Sequence, residues 1–323
     1  MGKLIIKIIL FITVLQLVLM CYLCNFQLYY NTTGNTRWYF FNQVLNGKIK
    51  IPEHKILFFG DSRLETNVDV KQIPGGWTYA TGGSSPVEMY FALKRHLKLY
   101  PKPDTLIISF SPRTFVQAYS FWGYAVRNDF FSYKDIKEIS IENNHCKSDT
   151  VIGNFPLFKF LLYKFKYIGY YQSDLNYNHV FLAGKKNRKA IENFQAEKGA
   201  WIYPGLKDGC SELNFETSLN DFQPSCLLTA YFEKILQLCQ QQGIPVLFLA
   251  MPVNESSFKN LNPKFLNDYK SFIKKTGERY PMFFISDEFF SFPDELFGDE
   301  SHLNQRGKEI YTKYLLNKIL KRG

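Results

Sequence analysis

The sequence predicts an α/β fold built on a mainly parallel, doubly wound sheet. Two observations predict it. Short, largely apolar runs recur at 56–59, 77–80, 105–110, 245–251 and 282–285, the form taken by strands buried on both faces. Helix-length segments alternate with these runs, and such β–α alternation lays helices over a parallel sheet.

The elements follow in order. Run 56–59 ends abruptly in Gly60-Asp61-Ser62-Arg63, so a buried strand delivers a serine onto a turn. Run 77–80 enters Thr81-Gly82-Gly83-Ser84-Ser85. A helix is expected over 86–99, with Pro86 in its first turn and Ser85 as its cap. The third strand, 105–110, leads into Ser111-Pro112-Arg113. Helices are expected over 224–242, ended by Gly243, and over 263–276, ended by Gly277. The last helix, 304–320, places Ile310, Tyr311, Tyr314, Leu315 and Ile319 on one face.

The start of the chain points to a membrane. Lys3 and Lys7 precede an apolar stretch over 8–23 in which Gln16 is the one strongly polar residue. With 4–6 counted, the stretch approaches the roughly 20 residues that cross a bilayer. Positive charge before the span predicts a cytoplasmic start and an exported remainder. No small-x-small cleavage site follows. Residues 1–30 therefore read as an uncleaved signal anchor, 31–54 as a juxtamembrane linker without clear periodicity, and 55–323 as the exported domain. In the linker, Tyr29, Tyr30, Trp38, Tyr39, Phe40 and Phe41 lie at the membrane interface or pack on the domain.

Residues from about 114 to 222 break the β–α rhythm. The stretch is aromatic and basic, as in Phe158-Lys159-Phe160-Leu161-Leu162-Tyr163-Lys164, and too long for a simple loop. It reads as an insertion beside the carboxyl edge of the sheet, either a lid or substrate platform or a helical elaboration that packs on the core.

Of the 323 residues, 46% are hydrophobic and 17% aromatic, enough to exclude global disorder. The net charge of +10 fits an anionic membrane face, an anionic polymer or a generally basic surface. No zinc spacing, RNP-like strand or basic heptad is present, so no nucleic-acid partner is expected.

Near the carboxyl end stands Asp299-Glu300-Ser301-His302. A serine hydroxyl needs a base to become a nucleophile. His302 is the candidate base, and Asp299, three residues earlier, is placed to orient its ring and stabilise the imidazolium. The developing oxyanion needs fixed N–H donors. Ser62 N–H is one, and Gly82 or Gly83 N–H another, because glycine permits close approach. His54, His96, His145 and His179 lack such neighbours and read as surface or packing histidines. No Cys/His/carboxylate set has metal spacing, so neither a metal nor an organic cofactor is expected.

These blocks resemble the SGNH (GDSL-like) hydrolase superfamily over roughly 55–112 and 224–320. Gly60-Asp61-Ser62 matches its first block, the Gly82-Gly83 segment its second, and Asp299-Glu300-Ser301-His302 its last. The resemblance implies a flavodoxin-like three-layer α/β/α sandwich, Ser62 as nucleophile, a glycine oxyanion donor, and Asp299 and His302 as acid and base. Two positions depart from the pattern. Arg63 stands where Leu is usual, and the Gly-x-Asn-Asp block is missing, leaving Ser111 or Arg113 to replace its asparagine donor. His302-Leu303-Asn304-Gln305-Arg306-Gly307, with a single anchor, looks most like the membrane-anchored envelope O-acyltransferases. That branch includes the alginate acetyltransferases and the D-alanyl-lipoteichoic-acid biosynthesis protein. It implies an envelope-glycan acceptor and a multi-span membrane O-acyltransferase partner.

Three functions follow as expectations: an O-acyltransferase, probing the same chemistry with water an esterase, and a non-catalytic envelope subunit. The first two share every residue. Of the six cysteines, Cys146, Cys210, Cys226 and Cys239 lie in the exported part, and Cys210–Cys226 is the first disulfide to test.

Overall fold

The computed structural model describes residues 2–26, 33–146, 151–167, 183–201, 203, 206–286 and 289–320. Five parallel strands form the central sheet: β1 (Ile56–Gly60), β2 (Gly76–Thr78), β3 (Thr105–Ser109), β4 (Val246–Phe248) and, beyond a two-residue strand β5 (Val253–Asn254), β6 (Phe283–Ile285). Their spatial order is β2-β1-β3-β4-β6. In register, Phe58 lies beside Thr78 on one side and Ile107 on the other, and Ile107 beside Leu247. The order reverses between β1 and β3, the position at which open parallel sheets present a crevice beyond their carboxyl ends. β5 pairs with β7 (Ser291–Phe292) in a separate two-stranded sheet. The strands expected over 245–251 and 282–285 are shorter than their apolar runs.

Successive strand residues point to opposite faces, and each face has its own core. Leu57, Phe59, Leu106 and Ile108 join one cluster, with Leu93, Tyr231 and Phe232. Phe58, Ile107 and Leu247 join the other, with Tyr311 and Leu315. The first face is covered by α4 (Pro86–Leu99), which begins with a capping box between Ser85 and Glu88, and by α9 (Cys226–Gln242), closed by Gly243 at φ 63°. Both match the expected starts and stops within two residues.

Two expectations about helices need correction. α11 (Pro263–Arg279) runs through Gly277 rather than ending there. A Cβ there would meet Ile285 and Phe283 of β6 only at ordinary contact distance, 3.5 and 3.6 Å, and its backbone is not left-handed, so this glycine neither ends the helix nor is required by packing. In α12 (Gln305–Leu320), Tyr311 and Leu315 are buried, but Ile310 and Tyr314 are exposed. The buried stripe runs instead through Gly307, Tyr311, Thr312 and Leu315, rotated from the expected face. The side chain of Ile319 lies outside those described.

α1 (Gly2–Phe26) has a 20-residue stretch, Gly2–Cys21, with mean hydropathy 2.7. It is long and apolar enough to cross a membrane, as an anchor or a signal sequence would be. The stretch read as a linker contains a helix, α2 (Thr33–Leu45), whose Trp38, Phe40, Phe41, Val44 and Leu45 are buried in the first core. Those aromatics pack on the domain; Tyr39 is half-buried, and Tyr29, Tyr30 and His179 lie outside the described residues. A helical period was missed there because apolar residues on adjacent positions blur any stripe. His54 and His96 are buried against each other, Nε2 to Nε2 3.0 Å.

Between β3 and α9 the described chain is helical. It comprises α5 (Pro112–Val116), a π-helical turn Phe121–Val126, α6 (Tyr133–His145), α7 (Pro156–Lys164), α8 (Ala183–Ala196) and a short turn Phe215–Ser218. Phe194 of α8 stacks on Phe40 of α2 at 5.2 Å. Lys198 O, just after α8, accepts the Thr78 N–H at 3.0 Å, capping the open edge of β2. The disulfide is Cys146–Cys226, not Cys210–Cys226. It ties the carboxyl end of α6 to the first residue of α9, while Cys210 is a free, buried thiol in the second core.

Candidate active site

The turn after β1 is held by close backbone approach and one carboxylate. A Cβ on Gly60 would lie 2.0 Å from Ser109 O, so β1 and β3 meet at this end only because the residue is glycine. Asp61 caps α3 (Ser62–Asn67), accepting the Arg63 N–H at 3.0 Å. Its other oxygen accepts the Ser111 N–H at 2.7 Å, joining the turns after β1 and β3. Ser62 is thereby fixed, half-buried, at the first position of α3. Arg63, the departure from the resembled pattern, is buried in an ion pair with Glu216 at 2.7 Å.

The turn after β2 is bonded to the same strand end. Thr81 N–H and Ser84 Oγ both donate to Gly60 O, at 3.1 and 2.6 Å. Gly83 has φ 74°, and a Cβ there would meet Ser120 Oγ at 1.9 Å. Among the described residues, neither Gly83 N–H nor Ser62 N–H has an acceptor, so both are free to bind an oxyanion. Gly82 is different: its N–H donates to Glu65 Oε2 at 2.9 Å. That removes Gly82 from the two expected glycine donors and leaves Gly83.

Glu65 is the centre of a buried group that sequence reasoning missed. It stands one turn after Ser62 on α3, so the two share a face. Arg37, from α2, forms an ion pair with it, and Arg37 also donates to Tyr203 Oη at 3.3 Å. Burial pushes the Glu65 carboxyl above its ordinary range, against the opposing pulls of Arg37, the Gly82 N–H and His302. The signal for Arg37 was a lone cation inside an aromatic run, Arg37-Trp38-Tyr39-Phe40-Phe41. Such a cation is buried only when paired, but nothing local names the partner.

Asp299 and His302 meet as expected. His302 Nδ1 lies 2.7 Å from Asp299 Oδ2, and Asp299 Oδ1 accepts the backbone N–H of both Ser301 and His302 at 2.8 Å. Burial raises the Asp299 carboxyl, but the imidazole and these N–H groups outweigh it and hold the group below the usual carboxylate range. Tyr203 stacks on the His302 ring, centroids 5.2 Å apart. The next residue, Leu303, donates its N–H to Asn67 Oδ1 at 2.9 Å. The acid–base turn is therefore tied to α3, the helix that Ser62 begins. Among the described residues, His302 Nε2 is buried and has no hydrogen-bond partner, Ser62 Oγ included.

The two candidate replacements for the missing asparagine differ in how far they are engaged. Ser111 spends its N–H on Asp61, and its hydroxyl makes no hydrogen bond among the described residues. Arg113 is clamped between the rings of Tyr119 and Phe215, at 4.0 and 4.3 Å, and donates to the Tyr119 hydroxyl. Among the described residues, no group of three or more His, Cys, Asp or Glu is placed to hold a metal ion. The arrangement supplies an oriented base, a serine on a tight turn and two unpaired N–H donors, parts from which acyl transfer is built. Neither a protein-family model nor a curated protein matches the chain.

Proposed function

We propose that this chain is a membrane-anchored serine acyltransferase that passes an acyl group, in the simplest case acetyl, through Ser62 to a hydroxyl of an envelope glycan. The observation that carries the reading is the Asp299–His302 pair, 2.7 Å apart, on a turn bonded to the helix that Ser62 begins. His302 Nε2 takes the Ser62 proton as Oγ bonds to the acyl carbon. The donor's oxygen leaves with that proton, and the acyl group stays on Ser62. An acceptor hydroxyl then gives its proton to Nε2 and attacks the ester, and the proton returns to Ser62 Oγ. Ser62 N–H and Gly83 N–H hold the oxyanion in both steps.

In this reading the sheet and its two cores form a flavodoxin-like three-layer α/β/α sandwich, with 114–222 inserted above its carboxyl edge. α1 is an uncleaved anchor with a cytoplasmic start. The Cys146–Cys226 disulfide supports an oxidising compartment for the domain. A multi-span membrane acyltransferase is the partner that would deliver the acyl group.

A non-catalytic envelope subunit is the second reading. It is favoured by the occupied Gly82 N–H and the unpartnered His302 Nε2. Incubating the full-length protein with 4-nitrophenyl acetate and a glycan oligosaccharide tests the first. Acetylated oligosaccharide is expected. Free acetate with no acetylated acceptor replaces the transferase by an esterase, and no turnover of either kind favours the non-catalytic subunit.

A further inference from the structure

α7 carries large apolar side chains on two opposite faces, with Lys159 and Lys164 between them, yet only one of those faces is buried. Pro156, Phe160 and Tyr163 are buried in the core. The opposite face carries Phe155, 79% exposed, Phe158, 64%, Leu161, 41%, and Phe165, 59%. Their spacing of three to four residues makes one continuous stripe. A stripe of large apolar side chains facing outward marks an interaction surface. Phe155 adds to this. It holds φ 55°, a left-handed conformation unfavourable for a bulky residue, and its ring points outward.

The position of α7 beside α1 names the occupant. Gln16, the polar residue of the apolar stretch, donates to Phe165 O at 2.8 Å and to Lys166 O at 3.0 Å. Gln16, Leu19 and Met20 are the half-buried positions of the stretch, one stripe at helical spacing, and Leu19 packs against the first core. An amide among hydrocarbon chains needs such partners. With a rise of about 1.5 Å per residue, Gln16 lies roughly 8 Å inside the Cys21 end of the stretch. The carboxyl end of α7 is at that same depth. Amphipathic helices lie with their apolar face roughly 5–10 Å into the boundary of headgroups and acyl chains. Lys159 lies over the Trp122 ring and Lys164 is paired with Asp129, so the charge complementary to anionic headgroups is that of the chain as a whole, +10.

We propose that the stripe Phe155, Phe158, Leu161, Phe165 is a second membrane contact, seated in the bilayer leaflet on the side of the domain, immediately beside α1. It rests on the anchor reading of α1. Its consequence is orientation: together with the contacts of Gln16 and Leu19 on the domain, a second membrane contact fixes which face of the domain meets the bilayer. Of the linker aromatics that were candidates for the membrane interface, Trp38, Phe40 and Phe41 are buried on the domain, and α7 offers exposed aromatic side chains in their stead.

The test is photo-crosslinking of the full-length protein in vesicles of phosphatidylglycerol and phosphatidylethanolamine. Three variants each carry one photoreactive residue: Leu10→p-benzoylphenylalanine in α1, Phe158→p-benzoylphenylalanine in α7, and Ile310→p-benzoylphenylalanine on α12, over the opposite sheet face. All three positions are exposed, so none disturbs the core. Lipid adducts at 10 and 158, each about tenfold above the level at 310, are expected. An adduct at 10 with only background at 158 overturns the second contact and leaves the anchor standing. Background at 10 overturns the anchor and the second contact with it.

Discussion

The acid–base turn and the nucleophile turn are built in different ways. Asp299 and His302 lie three residues apart, and every bond that orients the ring's Nδ1 comes from within 299–302. The Ser62 turn depends on distant chain: Ser109 at the end of β3 and Ser111 after it, the Gly82 turn after β2, Arg37 from α2 and Glu216 from beyond α8. The bonds that set the first half are therefore made within its own four residues. The second is assembled only when the whole domain, including α2, is in place.

The largest expected effect separates chemistry from fold in the local half. Asp299→Asn keeps an oxygen for the backbone N–H groups but favours the wrong imidazole tautomer. Acylation of Ser62 should slow by about 10⁴-fold with an unchanged thermal midpoint. A rate within a factor of a few of wild type would remove Asp299 from the mechanism.

Next in size is Arg37→Met, aimed at the distant half. It strands the Glu65 carboxylate without its ion-pair partner, which should cost roughly 3–5 kcal/mol in urea unfolding. Glu65→Gln together with Arg37→Met should recover most of that loss, since no buried charge is left. A double variant as unstable as the single one would show that packing, not charge, is what α2 supplies.

Replacing both cysteines, Cys146→Ser with Cys226→Ser, opens a link between residues 80 apart and should cost roughly 2–4 kcal/mol. The Asp299–His302 turn lies outside that link. Equal fluorophosphonate reactivity per folded molecule is therefore expected, and a selective loss would show that the disulfide holds the site contacts of 114–222, such as Tyr203 on His302, in place.

The smallest effect is in a second local device, the capping box of α4. Burial pushes the Glu88 carboxyl up from 4.5 to about 7. With the folded value above the unfolded one, the stability from this group is fully present below about pH 4.5 and lost as pH rises through about 7. Wild type should therefore lose roughly 2–3 kcal/mol relative to Glu88→Gln between pH 4.5 and 8. Parallel stability curves would refute the shift.

The same division explains what was legible beforehand. Gly60-Asp61-Ser62 after an apolar run, Ser85-Pro86 before α4, Gly243 after α9 and the Asp299–His302 spacing are all local signals, and each stands where it was expected. The burial of α2, the Arg37–Glu65–Gly82 group and the partner of Cys226 are tertiary facts. Arg37 and Glu65 are 28 positions apart, and no spacing rule connects them. The α12 face was misjudged for a related reason: Ile310 and Tyr314 are as apolar as Tyr311 and Leu315, so only packing selects the stripe.

The most direct test of the central claim is intact-protein and peptide mass spectrometry of the full-length chain after reaction with a fluorophosphonate. One adduct, on Ser62, that disappears in His302→Ala is predicted. Well-folded protein without an adduct at Ser62, or equal labelling in wild type and His302→Ala, would contradict an activated serine at this site.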